Sequence, residues 1–397
     1  MWYYSNMKAI KMRDKIDELL TRGVDKIYPS KEALEKILRS GRKLKLYQGF
    51  DPTGAELHIG HMVGLRKLAE WQALGHHVIF LIGDATGVIG DPSGKTEARK
   101  MLAREVVLKN AENYKIQAGR ILRFEGENPA EIKYNSEWLD SLSGLEFLQI
   151  AGHLSFQQVI KRDLFQERTK QGQDVFMNEF LYPVMQAYDS VAMDVDLEIG
   201  GSDQMFNMLM GRKLMRHMLG KEKFVMTLQL LTDSQGKKIG KTEGNAIALD
   251  DRPENLFGKI MAFPDEVLTR CFECLTNMPI DEIKKKDAMT NKKRLAFEIV
   301  KDLNNESAAR QAQENWENTF QKRQIPGETE EIKGTGGLGA TLVSEKIVAS
   351  MSEWRRLVEE GAVKKLTEKG EERIINFKIE ASSGVYKIGK HRFIKIK

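Results

Sequence analysis

Two histidines one helical turn apart, in His58-Ile59-Gly60-His61, follow closely on the turn Asp51-Pro52-Thr53-Gly54. A chain entering a helix there offers unpaired backbone N–H groups and the positive end of the helix dipole, and both attract an anion. The imidazoles add donors for phosphate oxygens, and Gly60 leaves room for a flat base to approach the backbone. Far along the chain stands Lys237-Lys238-Ile239-Gly240-Lys241-Thr242, flanked by polar residues and glycine. Lysines on a glycine-containing loop suit a mobile clamp, whose charge counts most where it develops on a leaving pyrophosphate. Either segment alone is a modest signal; the pair points to chemistry on a nucleoside triphosphate. Zinc is the weaker reading of the two histidines, because no third ligand stands beside them.

Two stretches imitate a P-loop without fitting it. Gly90-Asp91-Pro92-Ser93-Gly94-Lys95-Thr96 and Gly236 to Thr242 each place three residues between their glycines, where that motif has four. Pro92 also removes an N–H that a phosphate nest would use.

The elements that must position these residues are legible in outline. LKLYQGF reads as a short strand, His58 to about Leu74 as a helix stopped by Gly75, and HVIFLIGD as a strand buried on both faces. Strand, turn, helix and strand make a βαβ unit, so a Rossmann-like parallel α/β sheet is expected. The first 44 residues and the span 97–185 read as mostly helical. VAMDVDLEIGG, 191–201, is strand-like and breaks into a Gly-Gly turn before a helix from Gln204 to Met218. Residues 253–322 are helical again. PGETEEIKGTGGLG, 326–339, reads as a linker. In the tail, Leu342, Val343, Ile347 and Val348 form one helix face, Ser350 and Glu353 form a capping box, and IINFKIE and VYKIGKHRFIKIK are strand-like. Expected domains are therefore 1–250, with a helical insertion near 125–185, then a helical domain 251–325, a linker 326–336 and a small α+β module 337–397.

Composition bounds the function. The chain has 397 residues, 41% hydrophobic and 30% charged, which supports ordinary buried cores. No apolar run reaches the roughly 20 residues that span a bilayer, and the start lacks a secretory signal's apolar core, so a cytoplasmic protein is expected. Cys271 and Cys274 have C-x-x-C spacing but lie on a helical repeat with no second pair of ligands, and read as ordinary helix residues. Residues 337–397 hold 13 Lys+Arg against 8 Asp+Glu, which accounts for the whole net charge of +5. That basic tail suits contact with phosphates.

HIGH and KIGKT resemble the two nucleotide motifs of class I aminoacyl-tRNA synthetases. LYQGFDPTGAELHIGH, GVIGDPSGK, YPVMQAYDS and IGGSDQMFN resemble the tyrosyl branch of that family, in the same order over most of residues 40–320. The tail is similar to the small RNA-binding domain at the C-terminus of bacterial tyrosyl enzymes. The resemblance implies a tyrosine–tRNA ligase that activates tyrosine with ATP and transfers it to tyrosine tRNA, with Mg²⁺ carried on ATP and no resident metal. It implies a homodimer near 125–185 and a helical anticodon-side domain, with neither DNA nor a membrane as partner. Tyr47 and Asp189 would bond the substrate phenol oxygen; Asp91, Tyr182 and Gln186 its ammonium group; Gln204 would face its carboxylate. Asp51, Gly201 and Asp203 would line the ribose, Thr53 and His58 would contact the γ-phosphate, and His61 would lie beside the nucleotide, with Gly60. Lys95, Arg99, Lys238 and Lys241 would close over pyrophosphate, with Thr242 supplying the loop's hydroxyl.

The chain departs from the family pattern at Ile239 and Thr242, at Gly64, where some relatives carry a hydroxyl residue near the ribose, and at Trp354, where the RNA-binding domain often has a small residue. Tryptophanyl-tRNA synthetase is the sister reading, against which Tyr47 and Asp189 stand as a donor–acceptor pair for a phenol. A small nucleotidylyltransferase would lack the length, the lysine loop and the basic tail. A catalytically inactive RNA-binding paralogue is the non-enzyme alternative.

Overall fold

The computed structural model describes residues 15–93, 101–160, 163–232, 238, 247–320, 330–334, 336–367, 370–389 and 392–397. It divides into two compact units, one drawn from Met1–Asp251 and Phe263–Asn304, the other from Arg252–Ala262 and Asn305–Lys397.

The first unit is built on a sheet of six described strands. They are β1 (Val24–Tyr28), β2 (Lys45–Phe50), β3 (His77–Ile82), β4 (Glu131–Tyr134), β5 (Leu197–Gly201) and β6 (Phe224–Leu228), in the spatial order β1-β6-β5-β2-β3-β4. All neighbours run parallel except β1, which pairs antiparallel with β6 at the edge. The expected βαβ unit is present: the helix Ile59–Ala73 joins β2 to β3, which pair in register from Lys45 opposite His77 to Phe50 opposite Ile82. Val78 to Ile82 are all buried, as a continuous apolar run requires of a central parallel strand. From β2 the order proceeds outward to β3 and β4, and from β5 in the opposite direction to β6. The boundary between β2 and β5 is thus a topological switch point, where a crevice opens at the carboxyl ends of the strands.

Two strands fall where helix was expected. β1 interrupts the first 44 residues, between a helical turn at 15–21 and the helix Lys31–Arg39, and β4 interrupts the span 97–185. Both are short and carry charges, so neither shows an apolar run. The strand-like stretch 191–201 is shorter than expected, because the helix Met177–Met193 runs into it and ends on Asp194 in the left-handed conformation.

In the second unit the helices Pro253–Met261 and Glu306–Phe320 pack together, with Phe257 against Trp316. Its sheet has the order β7-β11-β10-β8-β9, from β7 (Glu330–Ile332), β8 (Val363–Thr367), β9 (Gly370–Arg373), β10 (Gly384–Ile388) and β11 (Arg392–Ile396). Part of the expected linker is therefore an edge strand, parallel to β11. IINFKIE is not a strand; its place is taken by β8 and β9, whose lysines and glutamates masked the pattern. Half of the expected capping box forms: Glu353 N donates to Ser350 Oγ at 3.2 Å, while the Glu353 carboxylate accepts from Ala349 N at 2.8 Å, one residue before the cap. Trp354 is fully buried and its Nε1 donates to the Phe377 carbonyl at 2.8 Å. Gly339 makes the room, since a Cβ there would lie 2.4 Å from the indole. Trp354→Ala is expected to destabilise this unit by about 3–5 kcal/mol, read as an earlier unfolding transition of the full chain in denaturant; an unmoved transition would contradict the packing.

Candidate active site

A cavity of about 240 Å³ lies at the switch point and is lined by Tyr47 from β2, His58 and His61, Asp91, Tyr182 and Asp189, Gly201 at the end of β5 and Asp203 and Gln204 just after it, together with Lys238. Asp51, Thr53, Gly60 and Gln186 line it as well. Every candidate residue within the described part of the chain is thus brought to one place. Lys95, Arg99, Lys241 and Thr242 lie outside the described residues.

His58 caps the helix Ile59–Ala73. Its Nδ1 accepts from Gly60 N at 3.1 Å, while His61 Nδ1 accepts from His58 N at 3.1 Å. Using both Nδ1 atoms as acceptors puts each ring proton on Nε2, the donor form that a phosphate oxygen needs. The rings stack with centroids 3.9 Å apart. A Cβ at Gly60 would lie 2.9 Å from the His58 ring, so the glycine serves the histidine cap as well as any approaching base. The segment after the lysine loop is tied to the same place: Ile59 N bonds the Ile247 carbonyl and Leu249 N the Leu57 carbonyl, each at 2.9 Å. On the loop's other side Lys238 bridges to Thr232, and its Nζ lies 2.5 Å from Asp203.

At the other end of the cavity the polar groups interlock. Asp51 accepts from Tyr182 Oη at 2.8 Å and from Thr86 Oγ1 at 2.7 Å. Asn135 Nδ2 donates to Thr86 at 2.9 Å and to Asp189 at 3.4 Å, and Trp138 Nε1 donates to Asp189 at 2.8 Å. Gln204 bonds Asp91 at 2.5 Å, and Asn207 donates to both Gln186 and Gln204. Tyr47 does not touch Asp189 through a hydrogen bond; its hydroxyl meets Ser190 Oγ at 2.9 Å. Burial pushes the Asp189 carboxyl well above the usual carboxylate range, against the pull of the Trp138 and Asn135 donors. The Tyr47 and Tyr182 phenols are pushed well above theirs by burial first, then by the carboxylates facing them.

Sequence reasoning did not single out Asn135, Trp138, Thr86 or Ser190; of these only Ser190 lies in a family-like string, as the last residue of YPVMQAYDS. It also missed Gln48, which fills the space over Gly64: a Cβ at Gly64 would lie 2.2 Å from Gln48 Oε1, a buried atom without a hydrogen-bond partner among the described residues.

Cys271 and Cys274 are free, buried on the helix Leu268–Leu275, and burial pushes both thiols up to about 12. Among the described residues no group of three or more His, Cys, Asp or Glu could hold a metal ion, and no helix is long and apolar enough to cross a membrane.

This geometry, with a histidine-capped helix and Lys238 at a polar cavity on the switch point, belongs to a known class. The pattern of the tRNA synthetases class I (W and Y) matches residues 39–321, and the chain belongs to that family. Within it the chain is similar, over nearly its whole length, to proteins named tyrosine–tRNA ligase. It is 39% identical to tyrosine–tRNA ligase 2 of Pseudoalteromonas translucida, covering 95% of this chain and 97% of that one. It is 40% identical to the tyrosine–tRNA ligase of Haemophilus influenzae, covering 95% and 96%. A C-terminally truncated mitochondrial tyrosyl-tRNA synthetase of Aspergillus nidulans shares the fold, with a TM-score of 0.67 and 24% identity over 77% of this chain and 94% of that one.

Because both thiols are buried and hard to ionise, a thiol reagent at pH 8 is expected to leave Cys271 and Cys274 unmodified until the chain is unfolded. Labelling of the native protein at the rate of the denatured one would contradict their placement.

Proposed function

We infer that the chain is a tyrosine–tRNA ligase, which condenses L-tyrosine with ATP to tyrosyl-adenylate and pyrophosphate and then transfers tyrosine to the 3′ end of its tRNA. The observation that carries this reading is the buried pairing, across one cavity, of a phenol donor and a carboxylate acceptor, Tyr47 and Asp189. A substrate hydroxyl can accept from the first and donate to the second; an indole lacks the oxygen to do both. In this reading Asp91, Tyr182 and Gln186 hold the ammonium group, and Gln204 orients the carboxylate. That carboxylate attacks the α-phosphorus while the bond to the β-phosphate oxygen breaks and pyrophosphate leaves. No covalent enzyme intermediate is needed, so placement and charge stabilisation supply the rate.

Thr53, His58 and His61 meet the phosphates, Asp51, Gly201 and Asp203 the ribose, and Lys95, Arg99, Lys238 and Lys241, with Thr242, the departing pyrophosphate. Lys238 must leave Asp203 to do so. Mg²⁺ enters with ATP, held by phosphates and water.

The basic tail is read as an RNA-binding module, supported by lysines and arginines beside aromatic rings, such as Arg355 over Phe377 at 5.2 Å and Lys387 over Phe393 at 5.7 Å. Residues 251–325 are read as the anticodon-side helical region. A homodimer through the region near 125–185 is supported by exposed Leu145, Leu148, Phe156, Phe176 and Met177. A cytoplasmic location suits a participant in translation.

ATP–pyrophosphate exchange without RNA, run separately with tyrosine, tryptophan and phenylalanine, tests the reaction: exchange with tyrosine is expected, and exchange with tryptophan alone would move the chain to the sister specificity. Asp189→Ala is expected to lower kcat/KM for tyrosine roughly ten- to a hundredfold, as loss of a bond to a charged group does, with the KM for ATP unchanged; an unaltered tyrosine KM would refute the assignment. Deleting residues 330–397 is expected to spare exchange while weakening tRNA charging, and equal loss of both would contradict the division of labour.

A further inference from the structure

Behind Tyr47, away from any family motif's defining residues, lies a buried ion pair. Lys223 is fully buried, Glu198 is 2% exposed, and the Lys223 ammonium contacts Glu198 Oε2 directly. The same ammonium lies 2.7 Å from Ser190 Oγ, and Ser190 is itself fully buried and 2.9 Å from the Tyr47 hydroxyl. The helix Met205–Leu219 opens space for this contact at Gly211, where a Cβ would lie 2.6 Å from Lys223 Nζ and 2.9 Å from Ser190 Oγ. Taking a lysine and a glutamate out of water costs stability that a surface pair would not cost. Three elements of the fold converge to satisfy them.

Hydrogen-bond accounting gives the cluster a direction. An ammonium can only donate, so Ser190 Oγ accepts from Lys223. The single serine proton then has two candidates, Tyr47 Oη at 2.9 Å and Glu198 Oε2 at 3.4 Å. The longer distance lies outside the usual range for O–H···O, and that carboxylate oxygen already holds the ammonium. The proton therefore goes to Tyr47. The phenol oxygen of Tyr47 accepts from Ser190, and its own proton is left to turn into the cavity that Asp189 also lines. Glu198 is the competing acceptor for both protons, and the Lys223 ammonium against it neutralises its charge and weakens that competition.

We propose that Lys223 and Ser190 are positioning residues for tyrosine selection: they form a relay, Lys223 N–H to Ser190 O–H to Tyr47 O–H, that polarises the Tyr47 hydroxyl as a donor to the substrate phenol oxygen. Successive bonds of one sense strengthen each other in a site of low dielectric. The relay rests on the reading that Tyr47 meets that oxygen. Without it the Tyr47 hydroxyl could donate backward, and would then oppose a substrate hydroxyl with lone pairs only.

The test is pyrophosphate exchange by the full chain with tyrosine and, separately, phenylalanine, in the wild type, Tyr47→Phe, Ser190→Ala and Ser190→Cys. Ser190→Ala is expected to lower kcat/KM for tyrosine by roughly five- to tenfold, the worth of one neutral hydrogen bond, with phenylalanine and the KM for ATP unchanged. Ser190→Cys, which nearly keeps the size but bonds weakly, should fall between the two, and decides the matter if the alanine variant fails to fold. A parallel fall for both amino acids would mean that Ser190 only shapes the pocket, and no fall for either would end the relay; both overturn the proposal. If Tyr47→Phe leaves the ratio of tyrosine to phenylalanine use unchanged, the underlying site reading fails too. If Tyr47→Phe lowers that ratio and Ser190→Ala does not, only the relay fails.

Discussion

A carboxylate withdrawn from water organises much of this site. Asp189 is almost fully buried, and such a group persists only where donors replace the water it has lost. Trp138 and Asn135 provide them, and both come from the segment just after β4, at the end of the sheet's outer half. Asn135 also holds Thr86, which holds Asp51, so the stretch after β3, the turn after β2 and the helix Met177–Met193 are linked through one amide. Satisfying Asp189 thereby sets the geometry of Thr86 and Asp51 and, through Asp51, of the Tyr182 hydroxyl.

The second constraint is topological. Reversal of strand order between β2 and β5 forces the chain ends of both strands into one crevice, and the motif residues stand at those ends or on the elements that leave them. The described residue of the lysine loop, Lys238, lies in the same crevice although it is distant in sequence. The loop's leading side follows β6, and its trailing side, Ile247 to Leu249, is paired to the residues that open the histidine-capped helix.

What could be read in the sequence follows from where physics writes a local signal. The βαβ unit was legible because central parallel strands are continuous apolar runs, and the site strings were legible because glycines, a proline and histidines stand at fixed intervals. β1 and β4 were not, because VDKIY and EIKY at or near the sheet's edges need few apolar residues. The buried cluster behind Tyr47 was least legible of all. Lys223 sits in GKEKF, which reads as solvated surface, and its burial depends on Gly211 in the preceding helix and on Ser190 and Glu198 in other elements. A residue whose environment is supplied wholly by tertiary packing leaves no pattern in its own segment. In the tail, alternation misled in the other direction: IINFKIE looks like a strand, while the strands beside it carry the charges of an exposed face.

The central claim is that this cavity is built around a phenol hydroxyl. Calorimetric titration of the full chain with L-tyrosine and with L-phenylalanine, both without ATP, addresses it most directly. The account predicts saturable binding of tyrosine and far weaker binding of phenylalanine, because the missing oxygen leaves the Tyr47 hydroxyl proton and the cavity side of the Asp189 carboxylate facing an apolar ring. Equal affinity for the two amino acids would contradict it.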